Sequence, residues 1–155
     1  MNNLAKFEKG LDEFKGEVEG ELKEISVISA NTVLLKVIRQ SPDPTKSRSK
    51  DSKGCYVLSH RVAADVPNAQ FTFWTGNKKI DGAKSKAAGR ARSWTKKAVK
   101  KPYQKTIISN SIPYAESVEI GLGWSVPGYY PYKLAYQFIR NQIPAIIQSV
   151  TAKKR

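Results

Sequence analysis

The clearest pattern of apolar and polar residues lies at the start of the chain. Apolar residues recur at spacings of three and four at Leu4, Phe7, Leu11, Phe14, Val18, Leu22 and Ile25, and the stripe continues through Ile28, Leu35 and Ile38. This spacing is typical of an amphipathic helix. We therefore predict one long helix, or two joined helices, over residues 4–40. Its apolar side covers either a sheet of the same chain or a neighbouring subunit, and the pattern is compatible with both.

A polar segment follows this helix. Pro42 and Pro44 end it, because proline lacks the backbone N–H and disfavours helical geometry in the residue before it. Residues 41–53 are polar and basic and contain no apolar side chain that would anchor them in a core. They are predicted to form a flexible loop.

From residue 54 to residue 66 the pattern changes to a period of two, which is typical of a half-buried strand. Its apolar face carries Tyr56, Leu58, His60, Val62, Ala64 and Val66, while Ser59, Arg61 and Asp65 lie on the other face. A second short, aromatic strand is predicted over residues 70–74. A third strand, rich in β-branched residues, is predicted over residues 103–112.

Two further helices complete the pattern. Residues 83–100 are rich in alanine and basic residues, and one side of this helix carries Ala83, Ala87, Ala91, Trp94 and Ala98. A closing helix starts at Pro131, because proline suits the first helical turn, and Pro144 is expected to kink or split it. Its apolar side is formed by Leu134, Phe138, Ile146, Ile147 and Val150.

These elements predict an α+β fold with a long N-terminal helix, a small antiparallel sheet, a basic middle helix and a C-terminal helix. The length of 155 residues indicates a single domain over residues 1–155. No apolar run approaches the roughly 18 residues of a membrane span. The first residues alternate acids and bases, unlike a secretion signal. The protein is therefore expected to be made in a cytoplasm and to have no membrane partner.

Charge is distributed unevenly along the chain. Residues 1–24 hold seven acids and four lysines, whereas the other 131 residues hold 23 of the 27 basic residues and six of the 13 acids. The first segment is therefore net −3 and the remainder net +17. Such asymmetry favours a polyanionic partner, an acidic neighbouring surface or complementary subunits in an assembly, and charge alone does not choose among them.

Residues suited to catalysis are few. The single histidine, His60, lies on the apolar face of a predicted strand, where a packed and hydrogen-bonded role is more common than catalysis. Cys55 has no partner cysteine for a disulfide or a metal site. Glu116 and Glu119 alone are a weak signal for acid–base work. We therefore predict a protein that is not an enzyme and that uses no cofactor or metal.

A basic segment supports an alternative function. Residues 78–105 hold 11 basic residues and one acid. On a helix, Lys86, Arg90, Lys97 and Lys101 keep spacings of four and seven, which would form a ridge able to contact phosphates, and Trp94 would add stacking. No zinc-finger spacing or RNP motif accompanies the charge. The ridge is therefore either a nucleic-acid contact or a solvated face that meets an acidic protein.

Residues 107–125 (IISNSIPYAESVEIGLGWS) carry a family signature. They resemble the head–tail joining and tail-completion proteins of tailed bacteriophages, in which a strand ends in an Asn-x-x-Pro-Tyr-Ala turn and a short segment then ends in Glu-x-Gly. The residues that match this pattern are Asn110, Pro113, Tyr114, Ala115, Glu119 and Gly121. Upstream, residues 41–44 and the predicted strand over residues 54–62 are similar to the family's Ser/Thr-Pro stretch and the strand after it.

The resemblance implies a structural protein of the virion. Such a subunit forms a closed homo-oligomeric ring, a hexamer, at the end of the tail tube, completes the tail and docks it on the head connector. The implied partners are tail-tube and neck proteins, with contact to DNA passing through the ring. The implied location is the neck of the virion after synthesis in the host cytoplasm, and the alternative remains a basic nucleic-acid-binding protein.

Overall fold

The structure, a computed structural model, describes residues 3–42, 54–71, 82–121 and 128–154. In chain order the elements are α1 (Asn3–Gln40), α2 (Cys55–Leu58), β1 (His60–Ala64), α3 (Ala83–Ala98), β2 (Thr106–Asn110), α4 (Ala115–Ile120) and α5 (Pro131–Thr151), followed by a 3₁₀ turn (Ala152–Lys154). The predicted α+β fold is confirmed, with its long N-terminal helix, small antiparallel sheet, basic middle helix and C-terminal helix.

The most extensive packing joins α1 and α5, which run antiparallel. Near the end of α1, the Lys36 ammonium lies 4.9 Å from the centre of the Phe138 ring, early in α5. Past the other end of α5, Lys153 Nζ lies 3.5 Å from Glu24 Oε1. The second half of α1 is therefore paired with α5 along its length, whereas the first half extends beyond the end of α5.

The alanine side of α3 packs as the sequence predicts. Ala83, Ala87 and Ala91 are buried against Leu34 and Ile38 of α1 and against α2. Because alanine has only a methyl side chain, the α3 backbone can approach these larger residues closely. The basic residues of α3 are thereby turned to the outside of the protein.

The sheet of the described residues has two antiparallel strands, in which His60 is opposite Asn110 and Ala64 is opposite Thr106. The strand predicted over residues 54–66 was therefore wrong in its first half, since Cys55–Leu58 forms the helical turn α2. All four residues of this turn are buried. A segment enclosed on every side does not need a period of two, so tertiary packing overrides the pattern.

The closing helix also differs from its prediction. It is continuous from Pro131 to Thr151, and Pro144 neither ends nor splits it. Pro144 is exposed, so the carbonyl that loses its helical partner is able to bond water instead. The buried side is formed by Ala135, Ile139, Ile146 and Val150, whereas the predicted Leu134 and Ile147 are 37% and 42% exposed.

Two predicted loop and strand segments fall largely outside the described residues. Of the loop over residues 41–53, only Ser41 and Pro42 are described, and both are buried. These two residues are therefore anchored, contrary to the prediction. Of the strand over residues 70–74, only Gln70 and Phe71 are described, and neither belongs to a strand.

Candidate functional site

His60 lies at the junction of four elements. It is fully buried, and its Nε2 lies 2.9 Å from Ser41 Oγ just past α1. Its Nδ1 lies 2.9 Å from the Tyr132 hydroxyl on α5 and 3.3 Å from Asn110 Nδ2 on β2. The rings of Tyr56 and Tyr132 meet the imidazole edge-to-face. The packed, hydrogen-bonded role predicted for this histidine is confirmed.

The neighbours of His60 determine its protonation state. Ser41 Oγ donates its proton to the Val37 carbonyl, so it accepts the proton on Nε2. Nδ1 is then the acceptor for the Tyr132 hydroxyl and the Asn110 amide. A second proton on Nδ1 would face two donors. Burial, together with the charge of Arg61, lowers the pKa of His60 to about 3, and the imidazole is neutral at physiological pH.

The signature predicted over residues 107–125 is described as far as residue 121, and its residues 122–125 lie outside the described residues. We call residues 110–121 the corner. Asn110 Nδ2 donates to the Tyr56 carbonyl, and Asn110 Oδ1 accepts from the Ile112 N–H. Pro113 is exposed just after β2, whereas Tyr114 and Ala115 pack on a small core. The buried members of that core are Cys55, Tyr56, Ile112 and Val118. The signature therefore builds a strand-to-helix turn.

The second part of the corner holds the start of α5. The Glu119 carboxylate accepts hydrogen bonds from the backbone N–H groups of Tyr132 (3.2 Å) and Lys133 (3.1 Å). These groups have no partner within the helix, and a negative charge is favourable at a helix N-terminus. Gly121 ends α4 in the left-handed conformation at φ 84°. Glu119 therefore replaces the missing side-chain cap of α5.

Gly128 brings the incoming chain against α4. A Cβ at this position would lie 2.5 Å from the Glu119 carbonyl oxygen and 2.7 Å from the Gly121 nitrogen. Just after it, the Tyr129 N–H donates to the Val118 carbonyl over 2.9 Å. Backbone contact this close admits only glycine. This requirement was missed in the sequence, because it depends on the backbone of α4 and not on the residues next to Gly128.

The other residues considered for catalysis do not join His60. Glu116 is exposed. The Glu119 carboxylate accepts a hydrogen bond from the first turn of α5, and Cys55 is buried in the small core of the corner. Within residues 3–42, 54–71, 82–121 and 128–154, no three His, Cys, Asp or Glu side chains are grouped as metal ligands would be. In the same ranges, no helix is long and apolar enough to cross a bilayer.

The predicted basic ridge is present on α3 for three of its four members. Lys86, Arg90 and Lys97 are exposed on one flank of the helix. Lys101 is exposed too, but it follows the end of α3 at Ala98 and lies in the turn before β2. The helix stops short because Val99 turns to extended geometry and is buried. The four side chains therefore do not form one helical ridge.

Arg61 adds to this surface and was missed as a partner of α3. Its guanidinium lies 5.5 Å from the centre of the Trp94 ring, and burial followed by the charge of Arg90 lowers the pKa of Arg61. Arg61, Asn68, Gln70, Trp94 and Lys97 border an open groove of about 380 Å³, which we call the basic groove. The sequence predicted that Arg61 lies on the strand face opposite His60. This position was the signal from which a contact of Arg61 with another element could have been inferred.

A third surface is the free part of α1. Every one of residues 3–17, which we call the arm, is exposed. Its apolar stripe consists of Leu4, Phe7, Leu11 and Phe14, which are 62%, 63%, 51% and 64% exposed. Isolated helices of this length are marginal in water, and Gly10 and Gly16 each cost about 1 kcal/mol relative to alanine. The arm therefore presents an apolar face that the described residues of its own chain leave exposed.

Comparison with known proteins gave no match for this chain among protein-family models, curated proteins or solved structures.

Proposed function

We propose that this protein is a structural subunit of the tailed-phage neck, which assembles into a ring, completes the tail and joins it to the head connector. The observation that carries the proposal is the arm, with two phenylalanines more than 60% exposed. A monomeric protein rarely exposes a contiguous apolar stripe, and such surfaces are typical of protein–protein contacts. An assembly subunit needs a surface of this kind.

The corner supports the same proposal at the residue level. Asn110, Glu119 and Gly121 each have a specific structural task in one turn, and Tyr114 and Ala115 pack on its core. The resemblance to head–tail joining proteins depends on these residues. A rigid corner of this type would hold α5 and the sheet in a fixed relation, which side-by-side closure of a ring requires.

The direct test is assembly with phage components. The purified protein is expected to form a closed oligomer, alone or with tail-tube and connector proteins, and mass spectrometry is expected to find it in virions. Loss of its gene should leave filled heads and tails that do not join. A protein that stays monomeric with these partners and is absent from virions would overturn the proposal.

A second function, nucleic-acid binding, is favoured by the basic groove. Arg61 and Lys97 border the groove together with Trp94 and two polar side chains, and Arg90 is close enough to Arg61 for its charge to lower the pKa of Arg61. Cations that contact phosphates and an aromatic ring that stacks on bases are the usual elements of single-strand binding. In a ring, the same surface would face DNA in transit.

A salt titration separates this function from assembly. Binding of a single-stranded oligonucleotide by the groove should weaken steeply with salt and should be lost in a variant with Arg90→Glu and Lys97→Glu. A variant with Lys6→Glu and Lys15→Glu, both exposed on the arm, is the matched control for the change of charge. Equal loss in both variants would point to non-specific attraction and would remove the case for the groove.

A further inference from the structure

A second apolar stripe lies on the outer side of α5. Tyr136, Ile143 and Ile147 are 62%, 40% and 42% exposed, and their spacings of seven and four place them in one line. We call these three residues the α5 stripe. Arg140 lies at one border of this line, with its guanidinium 5.9 Å from the centre of the Tyr136 ring. Tyr136 also borders an open groove of about 550 Å³ between α1, β2 and α5.

The two stripes match in length. At a rise of about 1.5 Å per residue, Leu4 to Phe14 extends about 15 Å and Tyr136 to Ile147 about 16 Å. Both are single lines of large apolar side chains on a helix, which is the geometry in which ridges of one helix pack into grooves of another. Each stripe therefore fits the other as a partner.

Their charges are complementary as well. The arm carries four acids, Glu8, Asp12, Glu13 and Glu17, against three lysines. By helical spacing Glu8 and Asp12 lie with one of these lysines, Lys15, along one border of its stripe, which is therefore net negative. α5 contains no acid, and its basic residues, Lys133 and Arg140, lie along one border of the α5 stripe. Both borders lie on the same rotational side of their stripes, so an antiparallel pairing of the two helices would place opposite charges beside a shared apolar seam.

The arm cannot reach the α5 stripe of its own chain. α1 is one continuous helix from Asn3 to Gln40, and the chain leaving α5 lies beside Glu24, where Lys153 pairs with it. The arm points away from that position, beyond the end of α5. An arm that is seated on the α5 stripe therefore comes from another molecule.

We propose that the arm of one copy docks on the α5 stripe of a second copy, with Glu8 and Asp12 facing Lys133 and Arg140. This inference rests on the proposed function, since it names the partner of the arm within the assembly. The contact joins two different surfaces, so each subunit retains one free arm and one free stripe. Repetition of the contact builds a ring when the rotation between copies closes.

Two complementary variants of the full chain test the contact. The arm variant carries Phe7→Ser and Phe14→Ser, and the stripe variant carries Tyr136→Ser and Ile143→Ser. Each alone should remain monomeric at concentrations where the unchanged protein assembles, since each buried aromatic contributes about tenfold or more in affinity. Mixed in equal amounts, they should form 1:1 dimers and nothing larger, because the mixture offers one intact arm and one intact stripe per pair.

Matched controls are Lys6→Ser on the opposite side of the arm and Leu134→Ser, which is exposed on α5 but outside the stripe. Both should assemble normally, and circular dichroism should show every variant folded. Sedimentation velocity or mass photometry gives the sizes. Assembly of the stripe variant by itself, or a mixture that stays monomeric, would overturn the docking proposal.

The same measurements keep this inference apart from the proposed function. If the unchanged protein forms only a two-fold dimer through these stripes, the docking proposal stands and the ring is wrong. If the stripe variant still forms rings, the proposed ring is supported and the docking proposal is wrong.

Discussion

In the interior, a buried histidine has a hydrogen-bond partner at each ring nitrogen and joins α1, the sheet and α5. At the free end of α1, four large apolar side chains are each more than half exposed. Each region contains groups whose environment is unfavourable by itself. A buried imidazole loses its hydrogen bonds to water and needs hydrogen-bond partners in the protein, and apolar surface is unfavourable in water unless another apolar surface covers it. The interior satisfies its requirement within one chain and the arm does not. This contrast separates what makes the protein fold from what makes it associate.

Removal of His60 should have the largest effect on the folded chain. His60→Ala deletes a fully buried ring and leaves Ser41 and the Tyr132 hydroxyl without their partner. We expect a loss of about 3 to 5 kcal/mol in the free energy of unfolding, measured by urea denaturation. His60→Gln, which retains a donor and an acceptor, should lose clearly less. Equal losses would mean that packing, rather than hydrogen bonding, holds the junction.

Acid should weaken the same junction in a defined range of pH. The pKa of His60 is about 3 in the folded protein and about 6.5 in the unfolded chain, so below pH 6.5 the unfolded state takes up the proton first. The contribution of the neutral His60 to the free energy of unfolding is fully present above pH 6.5 and is lost progressively as the pH falls toward 3. Between pH 7.5 and pH 5 the loss should be about 2 kcal/mol. The free energies of unfolding of the unchanged protein and of His60→Gln should therefore converge toward pH 5, and a constant difference between them would contradict a neutral imidazole in the folded protein.

Part of the contrast between the buried His60 junction and the exposed arm could be predicted from the sequence. The spacing of three and four along residues 4–38 predicted α1, and the alanine spacing predicted the buried side of α3. Both signals are local, because they depend only on which residues share one face of a helix. The position of His60 among apolar neighbours predicted its burial for the same reason.

The features that were missed depend on contacts distant in sequence. Residues 55–58 alternate like a strand but form the turn α2, because packing encloses all four of them. Arg61 reaches Trp94 from another element, and Gly128 is required by the α4 backbone rather than by its own turn. The choice between a sheet and a neighbouring subunit as the cover of α1 was left open, and the main cover within the chain is the helix α5 rather than the sheet. Its second half packs on α5, whereas the described residues of the chain leave its arm exposed.

The cap of α5 offers a smaller and more specific test of the corner. Glu119→Gln removes the charge that faces the helix N-terminus but can retain one hydrogen bond to the backbone N–H groups of Tyr132 and Lys133. The free energy of unfolding should fall by about 1 kcal/mol, and salt should reduce the difference. Glu116→Gln is the matched control, since Glu116 is exposed on the same helix. Equal effects at both positions would show that overall charge, rather than the cap, is responsible.

The smallest effect on folding should come from the arm, where the effect on association should be greatest. The variant with Phe7→Ser and Phe14→Ser alters side chains that are 63% and 64% exposed, and serine and phenylalanine have similar helix propensities. At concentrations low enough to keep the chain monomeric, the free energy of unfolding should change by less than about 0.5 kcal/mol. Leu34→Ser, a matched apolar-to-polar change at a fully buried position in the second half of the same helix, should cost about 3 kcal/mol or more. At higher concentration the unchanged protein should gain stability from association, and the arm variant should not. A monomer destabilised by more than about 1 kcal/mol in the arm variant would mean that the phenylalanines already pack on their own chain, and the arm would no longer need a partner.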